Sequence, residues 1–142
     1  MSVIERDFKV VIVVDAALAP GLATNTAAVL ALTLGSRVES LIGPDVKDAD
    51  GGLHLGITTV PVPVLVANGA IVRQIRARAM EALDERLLVV DFTDSAQRTH
   101  TYDDYVALLA TLTEDQVTYL GVALHGPRKL VQRLTGSLPL LR

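Results

Sequence analysis

The segment FKVVIVV, residues 8–14, constrains the fold of this chain more than any other. After Lys9 it holds five consecutive β-branched residues. A strand covered on one face alternates apolar with polar side chains, so an unbroken run needs cover on both faces. Such a strand belongs inside a sheet with helices packed on either side. VPVPVLVA (60–67), LLVVDF (87–92) and VTYLGVAL (117–124) supply three further strands. Half of the 142 residues are hydrophobic and none is tryptophan, so the core must be aliphatic. One domain over residues 1–142 is expected at this length, large enough to bury roughly 70% of the surface of its unfolded chain.

Pro61 and Pro63 stand two apart, so their missing N–H groups fall on the same side of the second strand. A central strand would lose ladder bonds there, and the pattern predicts a sheet edge.

Helical patterns separate the strands. Thr24 or Asn25 is predicted to cap a first helix reaching about Leu34, with Gly35 just past its end. Asn68 caps a second, running to about Glu85, with Ile71, Ile75, Ala79, Ala82 and Leu83 as its apolar stripe. Arg73, Arg76 and Glu81 then face water. Thr101 and Asp104 open a third helix, to about Leu112. Pro127 stands just inside the start of a fourth and Gly136 just past its end. GPDVKDADGGLHLG (43–56), with four glycines and three aspartates, reads as an ordered loop, and DSAQRTH (94–100) as a polar loop. Strands alternating with helices predict a three-layer α/β/α domain.

The formal charge of −3 gives no global pull toward nucleic acid or an anionic membrane. The absence of cysteine excludes disulfides, thiolate metal sites and a cysteine nucleophile. MSVIERDFK is too polar for a signal peptide, and no apolar run approaches the roughly 18 residues of a spanning helix. A soluble cytoplasmic protein with no membrane partner is expected.

The closing stretch TYLGVALHGPRKLVQRLTGSLPLL resembles the last segment of type II peptidyl-tRNA hydrolases. There an apolar strand ends in Gly-Pro, a helix follows, and Thr-Gly leads into a Leu-rich terminal strand. KVVIVVDAALAPGLATNTAAVLA is similar to that family's first strand, glycine loop and Ala-rich first helix. The whole chain more closely resembles an uncharacterised bacterial group, domain of unknown function 2000, placed beside those hydrolases. The resemblance implies a peptidyl-tRNA hydrolase II-like fold, with a four-stranded mixed sheet ordered 2-1-4-3. It puts the hydrolase lysine at Thr24, the glutamine at Ala28 and the histidine at Ala31. A cation near an oxyanion or phosphate and an amide orienting water are thereby lost. The hydrolase aspartate after the third strand has a counterpart in Asp91.

Asp15, Thr24, Asn25 and Thr26 gather at the carboxyl end of the first strand, where open α/β sheets take ligands and a helix start attracts anions. Ordinary capping accounts for one or two of them. DADGG matches part of a calcium loop, but Val46 and Ile57 would occupy its first and last ligand positions, so Asp45, Asp48 and Asp50 are read as an acidic turn and no metal is expected. His54 becomes a general acid–base group if its loop folds over the strand ends; otherwise it packs on its flanks. Asp91 ends an apolar strand, as a general base or as a cap. His100 and Tyr102 are read as structural, and His125 as lying at the opposite sheet edge from Asp15. Arg128, Lys129 and Arg133, and separately Arg73, Arg76 and Arg78, are either phosphate contacts or solvated helix faces, and no aromatic interleaving supports base stacking.

The expectation is a pocket for a small polar or anionic ligand, with Asp15, Thr24, Asn25 and Thr26 binding and Asp91 and His54 as catalytic residues for hydrolytic or transfer chemistry. No cofactor is implied. One alternative is a true esterase acting on peptidyl-tRNA. Another is a non-catalytic homodimeric module that meets its partner through the Pro-blunted edge or an apolar helix face.

Overall fold

In the computed structural model, residues 7–142 are described; most of the polar amino-terminal stretch, residues 1–6, lies outside them. Strand β1 is Phe8–Asp15, and helix α1 is Pro20–Arg37. A two-stranded ribbon follows, β2 at Val46–Lys47 and β3 at Leu53–His54. Strand β4 (Val64–Ala67) leads to α2 (Gly69–Glu81), and β5 (Leu88–Thr93) to the short α3 (Asp94–Arg98) and to α4 (Tyr102–Leu109). A 3₁₀ turn at Glu114–Gln116, strand β6 (Tyr119–Pro127) and helix α5 (Arg128–Thr135) complete the order.

The main sheet is ordered β4-β1-β6-β5. β1 and β4 are parallel, and β6 runs antiparallel to both its neighbours. This is a four-stranded mixed sheet with β4 at an edge, the position expected from Pro61 and Pro63, although the strand starts at Val64 and both prolines precede it. The alternation along β1 divides the core. Val11 and Val13 pack with Val72, Ile75, Val131 and Leu134 of α2 and α5. Val10, Ile12 and Val14 pack with Ala23, Leu30 and Leu34 of α1. Each such side chain, when fully buried, contributes about 1.5–3 kcal/mol.

Several boundaries differ from the sequence reading. Helix α1 starts at Pro20, four residues before Thr24, because the ring fixes φ at the first turn while Ala19 stays extended (φ −61°, ψ 154°). It also runs through Gly35, where Leu34 is locked in the core and Val38 N–H bonds the Leu34 carbonyl. Residues 43–56 form part of the ribbon arm rather than a loop. Helix α2 stops at Glu81, and Leu83 takes a left-handed φ of 51° with its side chain 90% exposed, so Ala82 and Leu83 leave the apolar stripe. The polar loop at 94–98 is the helix α3, capped by the Thr93 hydroxyl, which accepts from Ala96 N–H. Strand β5 is only half-buried along most of its length, because it too is a sheet edge. Strand β6 extends through Pro127, which therefore caps α5 instead of opening it.

The edge beside β4 is not open to a partner. Val66 N–H donates to the Pro139 carbonyl at 2.9 Å, and Leu141 N–H to the Val64 carbonyl at 2.8 Å. The carboxyl-terminal segment covers that edge itself. No helix among the described residues is long and apolar enough to cross a membrane.

Candidate functional site

At the carboxyl end of β1, Asp15 closes its own turn: Oδ1 accepts the Ala17 N–H at 2.9 Å. Because α1 begins at Pro20, Thr24, Asn25 and Thr26 fall beyond the helix start and none of them caps it. The Thr24 hydroxyl donates back to the Pro20 carbonyl at 2.7 Å, and that of Thr26 to Leu22 at 2.8 Å. Thr26 is fully buried, and its methyl presses on Gly121 of β6. Asn25 reaches Gln97 of α3, with Nδ2 3.5 Å from Oε1.

His54 sits on the ribbon opposite Val46, exposed, with Nε2 2.8 Å from the Asp48 carboxylate. That bond, with the N–H groups of Gly52 and Asp50, holds the Asp48 carboxyl below its usual range. The ribbon contributes nothing to the cavity that Asp91 borders, so His54 and Asp91 are not brought together.

Asp91 lies on the edge strand β5 and is tied from one side. Arg76 Nε of α2 donates to its Oδ2 at 3.0 Å, with both side chains mostly buried. Arg76 therefore does not face water. It stacks over the Tyr119 ring at 4.8 Å, with Arg73 on the same ring at 5.2 Å. Arg73 also donates to the Val117 carbonyl, and Tyr119 donates its hydroxyl to Glu114 at 3.1 Å. Two acids thus balance two arginines that share one aromatic ring, an arrangement worth about 0.5–1 kcal/mol per cation–π contact where exposed and more where desolvated.

Asp91 also lines a cavity of 380 Å³ bounded by α1, β5, α3 and the start of α4. Its walls carry Thr33, Phe92, Thr99, His100, Tyr102 and Tyr105. Tyr102 and Tyr105 meet edge to face, with ring centroids 5.4 Å apart. Burial, then the Asp91 charge, pushes the Tyr105 hydroxyl above its ordinary value, so it remains a neutral donor. The Thr101 hydroxyl accepts Asp104 N–H at 3.1 Å and fixes the corner that carries His100 and Tyr102. Sequence reasoning missed His100, Tyr105 and Arg76. The signal for the first two was the run THTYDDY: a corner with its own cap, placed directly after the strand that ends near Asp91.

The basic groups lie apart. Arg128, Lys129 and Arg133 line a second cavity, of 670 Å³, beside Asp7 and Pro127. His125 is paired with Val10 and Leu88, away from the Asp15 end of the sheet, as expected. Among the described residues there is no group of three or more His, Asp or Glu side chains placed to hold a metal ion.

Residues 8–142 match the family model described as protein of unknown function (DUF2000). The chain belongs to this family. The solved structure of the protein of unknown function Atu0240 from Agrobacterium tumefaciens superposes with a TM-score of 0.86 at 20% identity. The match covers 96% of this chain and 98% of that one, and at this identity it speaks for the fold alone. No curated protein matches the chain. What distinguishes this DUF2000 chain chemically is therefore read from its own side chains, and the Asp91 cavity gathers more of them than the β1–α1 junction does.

Proposed function

We propose that this DUF2000 protein binds a small molecule bearing hydrogen-bond donors in the cavity at Asp91 and moves a proton on it. Its domain is peptidyl-tRNA hydrolase II-like, with the hydrolase residues replaced. The observation that carries the reading is that Asp91, His100, Tyr102 and Tyr105 line one cavity of 380 Å³. That volume is within the range of small-molecule sites, which combine apolar walls with a few polar groups.

The roles follow from the chemistry of each group. Asp91, held by Arg76, is a fixed acceptor for an amine or hydroxyl. Tyr105 is a neutral donor, and Tyr102 with Phe92 gives the ligand an apolar wall. His100 takes the proton-transfer role, since an imidazole ring can both accept and donate a proton. Asn25 adjoins this site through Gln97, next to Ala96 in the cavity wall. The strand order and the antiparallel β6 are those implied by the hydrolase resemblance, which supports the finer fold. The tRNA reading has less behind it: Arg73 and Arg76 are engaged with Glu114 and Asp91, and the α5 cations line a different cavity.

A thermal-shift screen of small amines, amides and hydroxy acids at pH 7 tests the proposal. A ligand at about 100 times its Kd adds roughly 2.7 kcal/mol of stability. Binders should raise the melting temperature of the unmodified protein, and Asp91→Asn and Tyr105→Ala should abolish the rise. Binders whose shift survives both changes would contradict the site. Turnover of N-blocked aminoacyl-tRNA that Asp91→Asn abolishes would instead favour the esterase.

A further inference from the structure

We propose that this chain forms a two-fold dimer in which the β2–β3 ribbon of each copy seats in a trough on the other. This surface is separate from the Asp91 cavity, and the inference stands or falls independently of the ligand reading.

The ribbon is a built object. Ile42 pairs with Thr58, Gly43 N–H bonds the Ile57 carbonyl at 2.9 Å, and the Thr59 N–H bonds the Leu41 carbonyl at 2.8 Å. At its crossing, a Cβ on Gly56 would lie 1.8 Å from the Gly43 carbonyl oxygen, so only glycine permits the close approach. The Asp48 carboxylate closes the tip by accepting from Asp50 N–H, Gly52 N–H and the His54 ring. Yet Leu55 is 74% and Ile57 78% exposed, and Ile42, Val46 and Leu53 are each more than half exposed. A lone two-stranded ribbon is marginal in water and needs a further surface on its apolar side chains. The ribbon does not find that surface within its own chain.

The complementary surface lies at the foot of the sheet. Phe8, Val10 and Val60 line both a 130 Å³ and a 300 Å³ cavity, the latter reaching Pro61, Pro63 and Arg128. Arg128 in turn borders the 670 Å³ cavity with Lys129 and Arg133. The first two cavities share Phe8, Lys9, Val10 and Val60, and the last two share Arg128. Linked in this way they form a trough that runs from apolar walls to a net basic end, where Arg128, Lys129 and Arg133 stand beside Asp7 and an Arg86–Asp84 pair. The ribbon runs in the same sense, from the exposed Ile42, Leu55 and Ile57 near its base to a tip where Asp48 and Asp50 stand against a single Lys47, while Asp45 accepts the Gly56 N–H at the crossing. Full burial of an aliphatic side chain removes on the order of 100 Å², so the five exposed ones offer roughly 300 Å². Reciprocal seating buries two ribbon faces and two trough faces, about 1,200 Å² in all, which is where stable interfaces begin. A second copy is the occupant because it presents both halves of this match at once, and the exchange closes on itself.

Sedimentation analysis of the full chain between 1 and 100 μM tests this. The expected result is a dimer whose Kd rises at least about 30-fold in Leu55→Lys and in Ile57→Lys, with far-UV circular dichroism unchanged because both side chains are already in water. Lys129→Glu should weaken the dimer, and Asp50→Lys in the same chain should restore it. A monomer at 100 μM, or a dimer indifferent to Leu55→Lys and Ile57→Lys, would overturn the proposal. A dimer weakened by those two but indifferent to Lys129→Glu would also overturn it, since the ribbons would then meet something other than the trough.

Discussion

Gly121 of β6 lies directly against α1. A Cβ there would lie 2.6 Å from the Thr26 methyl and 3.1 Å from the Val13 carbonyl oxygen. Gly121→Ala should therefore cost about 1–3 kcal/mol by overpacking. Thr26→Ser removes the obstructing methyl at a cost of about 1 kcal/mol, and the double variant should be more stable than the sum of the two losses. Urea denaturation of the four proteins measures the coupling. This contact also explains why Thr26 was misleading in the sequence. A polar residue near a helix start resembles a ligand group, but its hydroxyl is spent on the Leu22 carbonyl and its methyl on packing.

His125 carries a second residue-scale prediction. Burial lowers its pKa from the ordinary 6.5, and its ring stands 5.2 Å from that of Phe8. The neutral ring is favoured in the fold, while the unfolded chain takes up the proton first as pH falls. The group's contribution to stability is thus present above about pH 6.5 and lost as pH drops through the lower folded value. In melts at pH 7.5 and 5.5, His125→Gln should show the smaller loss of melting temperature. An equal loss in both proteins would contradict this assignment.

Among the elements, α1 shows how unequal the sequence signals were. Its cap-like residues and Gly35 located the helix, but its start was misplaced because hydroxyl and amide residues look like caps wherever they stand. Pro20 decided the matter by fixing φ, and left Ala19 as a cap with no side chain to offer. Ala19→Asp should stabilise the protein by about 1 kcal/mol, by bonding a free first-turn N–H and by placing a negative charge at the positive helix end. A higher urea midpoint with an unchanged slope is the expected reading. The sheet order was legible for a different reason. Pro61 and Pro63 pointed to an edge, and β4 is one, but both stand in the approach to the strand, which begins at Val64. The ribbon was illegible because glycines and aspartates spell a loop, and pairing across Gly43 and Gly56 depends on a close approach that no local pattern shows. Arg76 was read as solvated since its helix face looked polar, whereas Asp91 and Tyr119 arrive from strands far along the chain.

At the scale of the whole molecule, the sheet separates two kinds of surface. One edge strand, β4, is covered by the carboxyl-terminal segment; the other, β5, carries Asp91 into a cavity completed by α1, α3 and α4. Part of that site could be read in advance: Asp91 was singled out as ending its strand, whereas β5 carries on to Thr93 and Asp91 pairs with Val122 within it. His100 and Tyr105 left only the faint mark of the THTYDDY corner, since they reach the cavity through the path of the chain after β5. The measurement that tests this account most directly is an amide NMR titration of the labelled protein with a small donor-bearing binder. Shifts confined to residues 29–33 and 91–105, and absent in Asp91→Asn, are the predicted result. Shifts centred on the β1–α1 junction or the α5 trough, with residues 91–105 silent, would contradict it.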